Sequence, residues 1–587
     1  KEKLVVPQET FANNMLYIKK DTDDAYTYSA EIRSVSENVS KPVRTLSMKI
    51  MAPTSEYTNM NIVVNVPNVR KPVPLFILFR ALGVLSDKEI IQMCVHDIDK
   101  YEDLLDCFVP SVHEAGGIMT QKTAIDFIRI LTKGKSVVGV LEILSDYLLP
   151  HIGETCFIKK AYYLGHMVFK LLMVSQGIEP ETNRDNFKFK RLETSGYLIS
   201  NLFREFYLIQ QKQLKLYLEK VLYFNQNIYE DNLPGLIQDN QNAFSDRVVE
   251  AGFKKAFKGN WGAYAHTKSI GVLQDLNRLS HNTMLSHLRK SALQLDASVK
   301  LVSPRVLHAS HWGYFDPIDT PDGGNIGIHK HMSITTHITK YMSREPIIKW
   351  LREKMKMMFV EECSHLFISQ NTKIFVNGFW AGITDQPFQI VSYIKLFRHN
   401  GLLPIFLSVS FDIKQNTIFV YTDEGRLTRP VFYKEFGEEN FFFENQNEIK
   451  KKIDNNEFSW IDLVSGFNEK KASANYDIHT MKIYELNELY DDVGNETNPA
   501  KIDRFLKKKA IIDYSDTNES EDALICLNNK TLQNEGAKSF SHLEIQESLI
   551  FGVMCNLIPF PQNTPATRNS FSCGQSKQAV SLYHTNY

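Results

Sequence analysis

The sequence predicts an α+β protein made of several domains. Its 587 residues are too many for one hydrophobic core and should form about three to five domains. Strand-like segments fill residues 1 to about 70, helical periodicity runs from about 75 to 230, and strands alternate with short helices after 340. Because strands and helices occupy largely separate stretches at the start of the chain, the α+β class follows.

Short segments rich in β-branched and aromatic residues predict the strands. Before residue 70 these segments are MLYIKK, YTYSAEIRSV, VRTLSMKIMAP and NMNIVVNVP. After residue 340, KIFVNGFWAGI, SYIKLFRHNG and TIFVYTDEGRLTRPVFY indicate strands and a short helix. The sequence contains no internal repeat or low-complexity linker.

Two long segments predict amphipathic helices. KKAYYLGHMVFKLLMVSQ repeats apolar residues at helical spacing, at Leu164, Val168 and Leu171. SGYLISNLFREFYLIQQKQLKLYLEKVLYF does the same at Leu198, Leu202, Phe206, Ile209 and Tyr217. We interpret both stripes as core positions rather than as ligand-binding faces.

Composition predicts a globular chain and leaves nucleic acid open as a partner. Hydrophobic residues make up 43% and charged residues 23% of the sequence, which is ordinary for globular proteins. The longest apolar run, VPLFILF at 73–79, is far too short to span a bilayer, so we expect no membrane partner. The net charge is −1, with acidic segments such as YELNELYDDVGNE and DYSDTNESED, so a polyanion must bind to a local basic surface.

The cysteines predict reduced thiols in an intracellular protein. None of them forms a C-x-x-C pair, so we expect no disulfide framework and no zinc site; they are Cys94, Cys107, Cys156, Cys363, Cys526, Cys555 and Cys573. The chain begins with KEKLVVPQETFANN and ends with SKQAVSLYHTNY, without a signal sequence or a polar tail. We therefore expect it to be part of a longer polypeptide.

Residues 303–331, SPRVLHASHWGYFDPIDTPDGGNIGIHKH, contain a glycine-rich loop between basic flanks. The loop lacks the G-x-x-x-x-G-K-[ST] of a P-loop, and it leads into β-branched HMSITTHITKYM rather than into the helix of a dinucleotide fingerprint. On pattern alone, a Pro-Asp-Gly turn is favoured, in which glycines supply positive φ angles.

A basic segment lies directly before and within this loop region. Only Asp275 and Asp296 offset its cations and imidazoles, which are Lys268, Arg278, His281, His287, Arg289, Lys290, Lys300, Arg305, His308 and His311. Together with the hydrogen-bonding Gln274, Asn277 and Asn282, they suit contact with phosphates, sugars and bases. An ordinary solvated face is the alternative, and the lack of ligand-spaced Asp, Glu or Cys argues against zinc.

Two neighbouring segments are GNWGAYAHTKSIGVLQDLNRLSHNTMLSHLRK and SPRVLHASHWGYFDPIDTPDGGNIGIHKHMSI. They resemble the fork region of the second-largest subunit of multi-subunit RNA polymerases, which is the β subunit in bacteria, and other segments resemble further parts of that subunit in the same order. VPNVRKPVPLFILFRALGVLSDKEI resembles its lobe. IFVNGFWAGI, DEGRLTRPVF and LIFGVMCNLIPFPQNTPATRNSFSCGQSKQAV resemble its external region and the entry to its hybrid-binding domain.

The resemblance implies the architecture of that subunit, with six domains. We expect a lobe at 1–185, the second part of a protrusion at 186–255, a fork at 256–338, external region 2 at 339–455, external region 1 at 456–545, and the start of a hybrid-binding domain at 546–587. The segments GAYAHTKSIG and QLDASVKLVS match the positions of the two fork loops of the family, at the hybrid and at downstream DNA.

The resemblance also implies site residues. The loop 316–330 is similar to the family's P-x-E-T-P-E-G motif near the RNA–DNA hybrid, with Asp319 and Asp322 in place of glutamates. Six residues match positions that line the nascent-RNA path and the rifamycin pocket: Gln274, His287, Arg289, Lys290, Pro321 and Asn325. Arg568 matches the arginine that reaches the triphosphate of the incoming nucleotide, and Lys577 with Gln578 match positions near the RNA 3′ end.

The implied function is that of one wall of the active-centre cleft of a DNA-directed RNA polymerase. In the family the Mg²⁺ cofactor is held mainly by residues of the largest subunit, so we expect this chain to be inactive alone. Its expected partners are the largest and smaller polymerase subunits, template DNA, nascent RNA and NTPs. The alternative is a non-catalytic nucleic-acid-binding scaffold with the polymerase fold.

The origin of the polymerase is predicted from mixed resemblances. NLIPFPQNTPATRNSF is more similar to eukaryotic nuclear and archaeal subunits, whereas DPIDTPDGGNIG is more similar to the bacterial loop. We therefore expect a large cytoplasmic DNA virus, with the protein in the host cytoplasm and the virion. A divergent cellular enzyme in the nucleus is the alternative.

Overall fold

The computed structural model describes residues 1–38, 41–53, 60–132, 134, 136–229, 232–245, 247–434, 451, 454–455, 459–466, 505–506, 509–528, 531 and 540–580. Most of the predicted external region 1 and the acidic segment YELNELYDDVGNE lie outside the described residues. Two compact units are present, each built from separate stretches of chain. Unit 1 comprises Lys1–Thr10, Lys190–Ile338 and Gln546–Tyr587, and unit 2 comprises Phe11–Phe189 and Thr339–Ile545. The six finer domains stay a prediction.

Unit 2 contains a five-stranded antiparallel sheet and a helical layer. In order across the sheet, the strands are Leu16–Lys20, Tyr26–Ser34, Arg44–Met51, Ile62–Asn65 and Val73–Pro74. The helices that follow are Leu75–Ala81, Asp87–Val95, Val109–Glu114, Gln121–Leu131, Val137–Glu142 and Phe157–Ser175. Strands and helices share one hydrophobic core, which confirms the predicted strands before residue 70 and the helices after 75.

The helix Phe157–Ser175 lies at the centre of that core. Leu164, Val168 and Leu171 are fully buried, so their prediction as core positions is confirmed. Gly165 faces the Met93 carbonyl of the helix Asp87–Val95, and a Cβ there would overlap that oxygen. Glycine at this position therefore allows the two helices to approach closely.

The second part of unit 2 is a mixed sheet with flanking helices. Its strands run in the order Phe379–Thr384, Thr372–Val376, Thr417–Tyr421 and Ser408–Asp412. Further strands are Leu427–Tyr433, Ile512–Asp516, Ile525–Cys526 and His542–Leu543. The helices here are Glu345–Glu353, His365–Gln370, Pro387–His399, Trp460–Ser465 and Thr517–Glu521.

Unit 1 contains the basic segment and the glycine-rich loop. One sheet orders the strands His329–His331, Lys290–Leu293, Gln8–Phe11 and Lys190–Glu193, and a second pairs Lys3–Val5 with Leu273–Asp275. A short strand, His337–Ile338, ends the second stretch of the unit. The helices are Ser195–Phe224, Gln226–Tyr229, Leu233–Asp239, Val248–Ala256, His281–Leu288 and Ala566–Gln578. Both units mix helix and strand, which confirms the α+β multidomain class.

The long helix Ser195–Phe224 corrects one core prediction. Leu198 and Leu202 are buried, and Phe206 and Ile209 are half-buried, as the periodicity predicts. Tyr217 is 45% exposed, so its prediction as a core residue is wrong. The first turns of the helix pack against the rest of the unit. The apolar periodicity continues into the second half of the helix, where no residue is buried.

A buried ion cluster joins three strands of the unit 1 sheet. Glu9 receives hydrogen bonds from the ammonium groups of Lys190 (2.5 Å) and Lys330 (2.8 Å). All three residues are buried. Burial opposes ionisation of Glu9, but the two lysines outweigh it and lower the pKa of this carboxyl.

Candidate nucleic-acid interface

The glycine-rich loop 316–327 is fixed at its start by a buried carboxylate. Asp316 accepts hydrogen bonds from the backbone N–H groups of Ile318 (3.0 Å), Asp319 (3.2 Å) and Gly552 (2.8 Å). The Gly552 bond ties the loop to the segment that precedes the helix Ala566–Gln578. The carboxylate therefore has a structural role in holding the loop, and burial raises its pKa.

The far end of the loop is equally constrained. The Thr320 hydroxyl accepts a hydrogen bond from the Gly327 N–H (2.9 Å) and donates one to the His329 carbonyl (3.2 Å). Gly323 and Gly327 have φ angles of 74° and 71°, and a Cβ on Gly327 would overlap the Arg305 carbonyl oxygen. The loop is therefore a packed turn with an exposed tip at 322–326.

Arg305 joins this loop to the neighbouring loop 294–303. Its guanidinium donates hydrogen bonds to five backbone carbonyl oxygens, those of Ala297 (3.3 Å), Val299 (3.1 Å), Leu301 (3.2 Å), Gly324 (2.5 Å) and Ile326 (3.1 Å). This arrangement uses the full set of guanidinium N–H donors. Arg305 therefore shapes the two loops rather than facing solvent as a phosphate ligand.

Replacing Arg305 with alanine is expected to loosen both loops. Hydrogen bonds from a charged donor contribute about 1.5 to 3 kcal/mol each, so amides such as Gly327 should exchange at least about tenfold faster. Hydrogen exchange read by mass spectrometry on peptides covering 297–301 and 323–327 measures this. Arg278→Ala, which removes an exposed arginine paired with Glu2, should leave these peptides unchanged. Equal exchange in the Arg305 variant and the wild type would contradict the shaping role.

Three of the predicted site residues form one polar cluster, Gln274, His287 and Lys290. The Gln274 carbonyl oxygen lies 2.9 Å from His287 Nε2 and accepts a hydrogen bond from the Lys290 ammonium at 3.0 Å. His287 Nδ1 accepts from the Asn277 N–H (3.2 Å), so the imidazole is neutral with its proton on Nε2. The strand Leu273–Asp275, the helix His281–Leu288 and the strand Lys290–Leu293 supply these side chains.

The polar cluster carries a destabilised cation. Burial and the nearby charge of Lys577 lower the pKa of Lys290 to about 8. Burial and the charge of Lys290 also lower the pKa of His287, and burial with Lys290 and His287 lowers that of His329 to about 4. The Lys577 ammonium, although it is paired with Asp319, thus adds to the burial that disfavours the charged form of Lys290.

Arg289 is used differently from its neighbour Lys290. Its guanidinium donates to the backbone carbonyls of Ser333 (2.5 Å) and Ile334 (3.1 Å). Burial lowers its pKa. The structure therefore places this predicted nucleic-acid ligand against the backbone of its own unit.

The helix Ala566–Gln578 brings a second set of predicted residues to the loop. The Ser570 hydroxyl donates to the Thr320 carbonyl (3.2 Å). The Lys577 ammonium donates to Asp319 Oδ1 (2.6 Å) and to His331 Nε2 (3.1 Å). Gln578, the last residue of the helix, is exposed.

Arg568 lies in the first turn of the same helix and is open to solvent. Its guanidinium carbon lies 5.7 Å from the ring centroid of Phe571, itself 47% exposed. Asn569 is buried and donates to the carbonyls of Pro561 (2.9 Å) and Thr564 (3.2 Å), which fixes the chain entering the helix. Arg568 is thus an available cation on a well-held turn.

The structure brings some of the predicted residues together and leaves others apart. Lys577 lies near enough to Lys290 to lower its pKa. Pro321 is half-buried and Asn325 is exposed, and both lie on the loop that Arg305 and Ser570 hold. Of the other basic residues, Arg278 pairs with Glu2 (2.8 Å) and His311 is buried with its pKa lowered to about 3. Only part of the basic segment is thus available to a polyanion.

Sequence reasoning missed the residues that hold the cations. Asp319 and His331 contact Lys577, and Ser286 lies 3.1 Å from His331 Nδ1. Asp319 was identified as a variant of a family motif, without a partner. No local pattern predicts a contact between residues 246 and 258 positions apart in the chain.

Two other properties concern the described residues only. Among them, no group of three or more His, Cys, Asp and Glu side chains is arranged to hold a metal ion. No helix within the described ranges is long and apolar enough to cross a membrane.

Three family models match the chain, all of them domains of one protein. They are RNA polymerase Rpb2 domain 2 at residues 12–193, domain 3 at 274–338 and domain 4 at 374–435. Together these matches cover more than half of the chain.

Curated relatives match along the whole chain. DNA-directed RNA polymerase II subunit 2 of Arabidopsis thaliana is 32% identical over 100% of this chain and 46% of its own length. DNA-directed RNA polymerase II subunit RPB2 of Encephalitozoon cuniculi is 32% identical over 100% and 47%, and RNA polymerase III subunit RPC2 of Saccharomyces cerevisiae is 26% identical over 99% and 45%. The chain spans about half the length of these relatives.

Proposed function

Because the chain belongs to the family of second-largest subunits of multi-subunit RNA polymerases, we propose that it forms one wall of the active-centre cleft of a DNA-directed RNA polymerase. In this role it contacts the RNA–DNA hybrid, downstream DNA and the incoming NTP. The largest subunit and smaller subunits complete the cleft. The chain acts within that complex and not alone.

One observation carries the proposal for nucleic acid, the cation pair Lys290 and Lys577. Burial, with a further contribution from the charge of Lys577, lowers the Lys290 pKa to about 8. A phosphate bound beside these two ammonium groups favours the charged form of Lys290 and releases counterions from the nucleic acid. The neutral polar side chains of Gln274 and His287 border the same place, and neutral polar groups suit contacts with sugar hydroxyls.

Arg568 supports the contact with the incoming nucleotide. Phosphoryl transfer depends mainly on positioning and on neutralising charge that develops on the phosphate oxygens. An exposed guanidinium presents a planar fork of donors that fits a triphosphate. Mg²⁺ held by the largest subunit supplies the remaining charge neutralisation.

Photo-crosslinking of the assembled polymerase tests the proposal. The RNA is extended within the enzyme on a template scaffold so that it ends in 4-thiouridine. The complex is then irradiated, and the crosslinked peptides are mapped. We expect crosslinks to the segments 274–293 and 566–578. Crosslinks confined to other segments, or to other subunits, would contradict the proposed position of this wall. Retention of RNA without Mg²⁺-dependent extension would favour the scaffold alternative.

Lys290 is expected to make hybrid retention depend on pH. Because the pKa of Lys290 is about 8, its ammonium loses its proton, and its attraction for phosphate, as the pH rises from 7 to 9. One phosphate contact contributes about 0.9 to the slope of log K against log salt. The slope should therefore decrease by about one unit over this pH range. Hybrid dissociation from the assembled enzyme, measured at several salt concentrations and pH values, checks this.

Variants of Lys290 separate this effect from general loss of charge. Lys290→Ala should show the smaller slope already at pH 7, with little further change at pH 9. Lys290→Arg keeps its charge and should flatten the pH dependence. Lys255→Ala removes an exposed lysine on the helix Val248–Ala256 and serves as the control. A Lys290→Ala enzyme with the wild-type slope at pH 7 would show that Lys290 serves only the fold.

We also propose that the polymerase is that of a large cytoplasmic DNA virus. The mixture of nuclear-like and bacterial-like motifs supports this origin, whereas the relatives named above are eukaryotic cellular subunits. Mass spectrometry of purified virus particles and of host nuclei is the test. The chain is expected in particles and in cytoplasmic fractions, and its confinement to nuclei would contradict the viral origin.

A further inference from the structure

Lys577 is held at both ends by residues from three separate segments. Its backbone carbonyl accepts hydrogen bonds from the hydroxyls of Ser280 (3.1 Å) and Thr283, at the start of the helix His281–Leu288. Its ammonium donates to Asp319 (2.6 Å) and to His331 (3.1 Å). Contacts at both ends restrict this residue, and a functional group is positioned accurately when supporting residues hold it in this way.

The donors and acceptors around the ammonium are fully assigned by chemistry. An ammonium only donates, so His331 Nε2 must accept, and the proton of the neutral ring lies on Nδ1. Nδ1 is 3.1 Å from the Ser286 hydroxyl, whose oxygen accepts the hydrogen bond that Nδ1–H donates. Burial, together with the charge of Lys577, lowers the His331 pKa to about 4, even though Asp319 opposes the shift. His331 therefore stays a neutral acceptor at physiological pH.

The ammonium contacts a buried carboxylate, and the lysine side chain is partly exposed. The side chain of Asp319 is 3% exposed and that of Lys577 is 19% exposed. Within the described part of the chain, Asp319 and His331 use two of the three ammonium N–H groups. The third N–H is not used by these two partners and can donate to a ligand.

The backbone contacts indicate why the side-chain contacts exist. Ser280 and Thr283 already fix the end of the helix Ala566–Gln578 through the Lys577 carbonyl. Docking of the helix therefore does not require the ammonium to be paired. The Asp319 and His331 contacts balance the charge of the ammonium and set its direction.

We propose that Asp319 and His331 are positioning residues that aim the third N–H of Lys577 at a phosphate of the RNA 3′-terminal nucleotide. This rests on the proposed function, in which Lys577 lies near the RNA 3′ end. Asp319 balances the cation, His331 fixes its rotation, and Ser286 fixes the tautomer of His331. The RNA end is thereby held for attack on the incoming nucleotide.

Single-nucleotide addition by the assembled enzyme on a preformed RNA–DNA scaffold tests this. Asp319→Asn should lower the maximum rate about tenfold and change KM for the NTP less than about twofold, because the RNA end rather than the NTP is displaced. Asp319→Glu restores the charge and should recover the rate to within about threefold of wild type. Glu250→Gln, which breaks an exposed ion pair with Lys254 on the helix Val248–Ala256, should have no effect on the rate.

A double-variant cycle separates positioning from a structural role. In a Lys577→Ala enzyme, adding Asp319→Asn should change the rate less than about twofold, because the group to be aimed is already gone. An equal loss in both backgrounds, or an Asp319→Asn rate within about twofold of wild type, would overturn the proposal. If the Lys577→Ala enzyme and the Arg568→Ala enzyme both add nucleotides at the wild-type rate, the proposed function itself is wrong, and not only the positioning role.

A second pair of variants covers the case in which Asp319→Asn does not assemble. His331→Gln keeps an acceptor for the ammonium and should retain at least about a third of the rate, whereas His331→Leu removes it and should lose about fivefold. Equal rates for these two variants would also overturn the proposal.

Discussion

Replacing Arg568 with alanine is expected to lower kcat/KM for nucleotide addition by about 10² to 10³, equal to about 2.7 to 4 kcal/mol of transition-state stabilisation. The guanidinium meets charge that develops on the leaving group, so its loss affects the transition state more than binding. Arg568→Lys should recover only part of the activity, because the lysine ammonium attracts the phosphate but cannot form the bidentate hydrogen bonds of a guanidinium.

Single-nucleotide addition over a range of NTP concentrations measures this effect. Arg247→Ala removes an exposed arginine of unit 1, just before the helix Val248–Ala256, and should leave kcat/KM unchanged. Assembly and hybrid retention should also be unchanged in the Arg568 variants, since Arg568 is open to solvent. An alanine enzyme within about threefold of wild type, where tenfold corresponds to 1.4 kcal/mol, would remove Arg568 from the nucleotide contact.

Replacing Glu9 with alanine is expected to destabilise unit 1 by about 3 to 5 kcal/mol, because the buried carboxylate that receives hydrogen bonds from both lysines is lost. The strands that carry Lys190 and Lys330 flank this residue in one sheet, so the loss should open the sheet. Replacing all three residues together by Leu, Met and Met should cost far less, since no unpaired charge remains.

Hydrogen exchange in the strands Lys290–Leu293 and His329–His331, at increasing urea concentrations, measures the free energy of opening. Glu2→Ala breaks an exposed pair with Arg278 and should change this free energy by less than about 1 kcal/mol. A Glu9→Ala variant as mild as Glu2→Ala would show that the lysines find water or another partner.

Local patterns predicted the secondary structure wherever burial follows periodicity. The strands before residue 70 and the helix Phe157–Ser175 lie where alternation and helical spacing placed them. The same reasoning failed at Tyr217, because periodicity indicates an apolar face and not whether that face is covered. The order of motifs along the chain was sufficient to identify the family, because each motif is local and their order can be read from the sequence alone.

The candidate site was predictable as a set of residues but not as an arrangement. Gln274, His287 and Lys290 lie within seventeen positions and were found as one basic, hydrogen-bonding segment. That Lys290 contributes a destabilised cation while the adjacent Arg289 holds a backbone turn was not predictable. Arg289 follows the last residue of the helix His281–Leu288 and Lys290 begins the next strand, and only the packed structure shows what each side chain contacts.

By itself the sequence determined the α+β class, the positions of most helices and strands, the family, and the residues available for phosphate chemistry. Only the tertiary structure decided the partners of the charged groups. Glu9 meets Lys330 across 321 positions and Asp319 meets Lys577 across 258. The physical reason is that a charge loses its hydration on burial and must find a counterion from whichever segment packs there. That choice depends on three-dimensional proximity, which no local pattern contains.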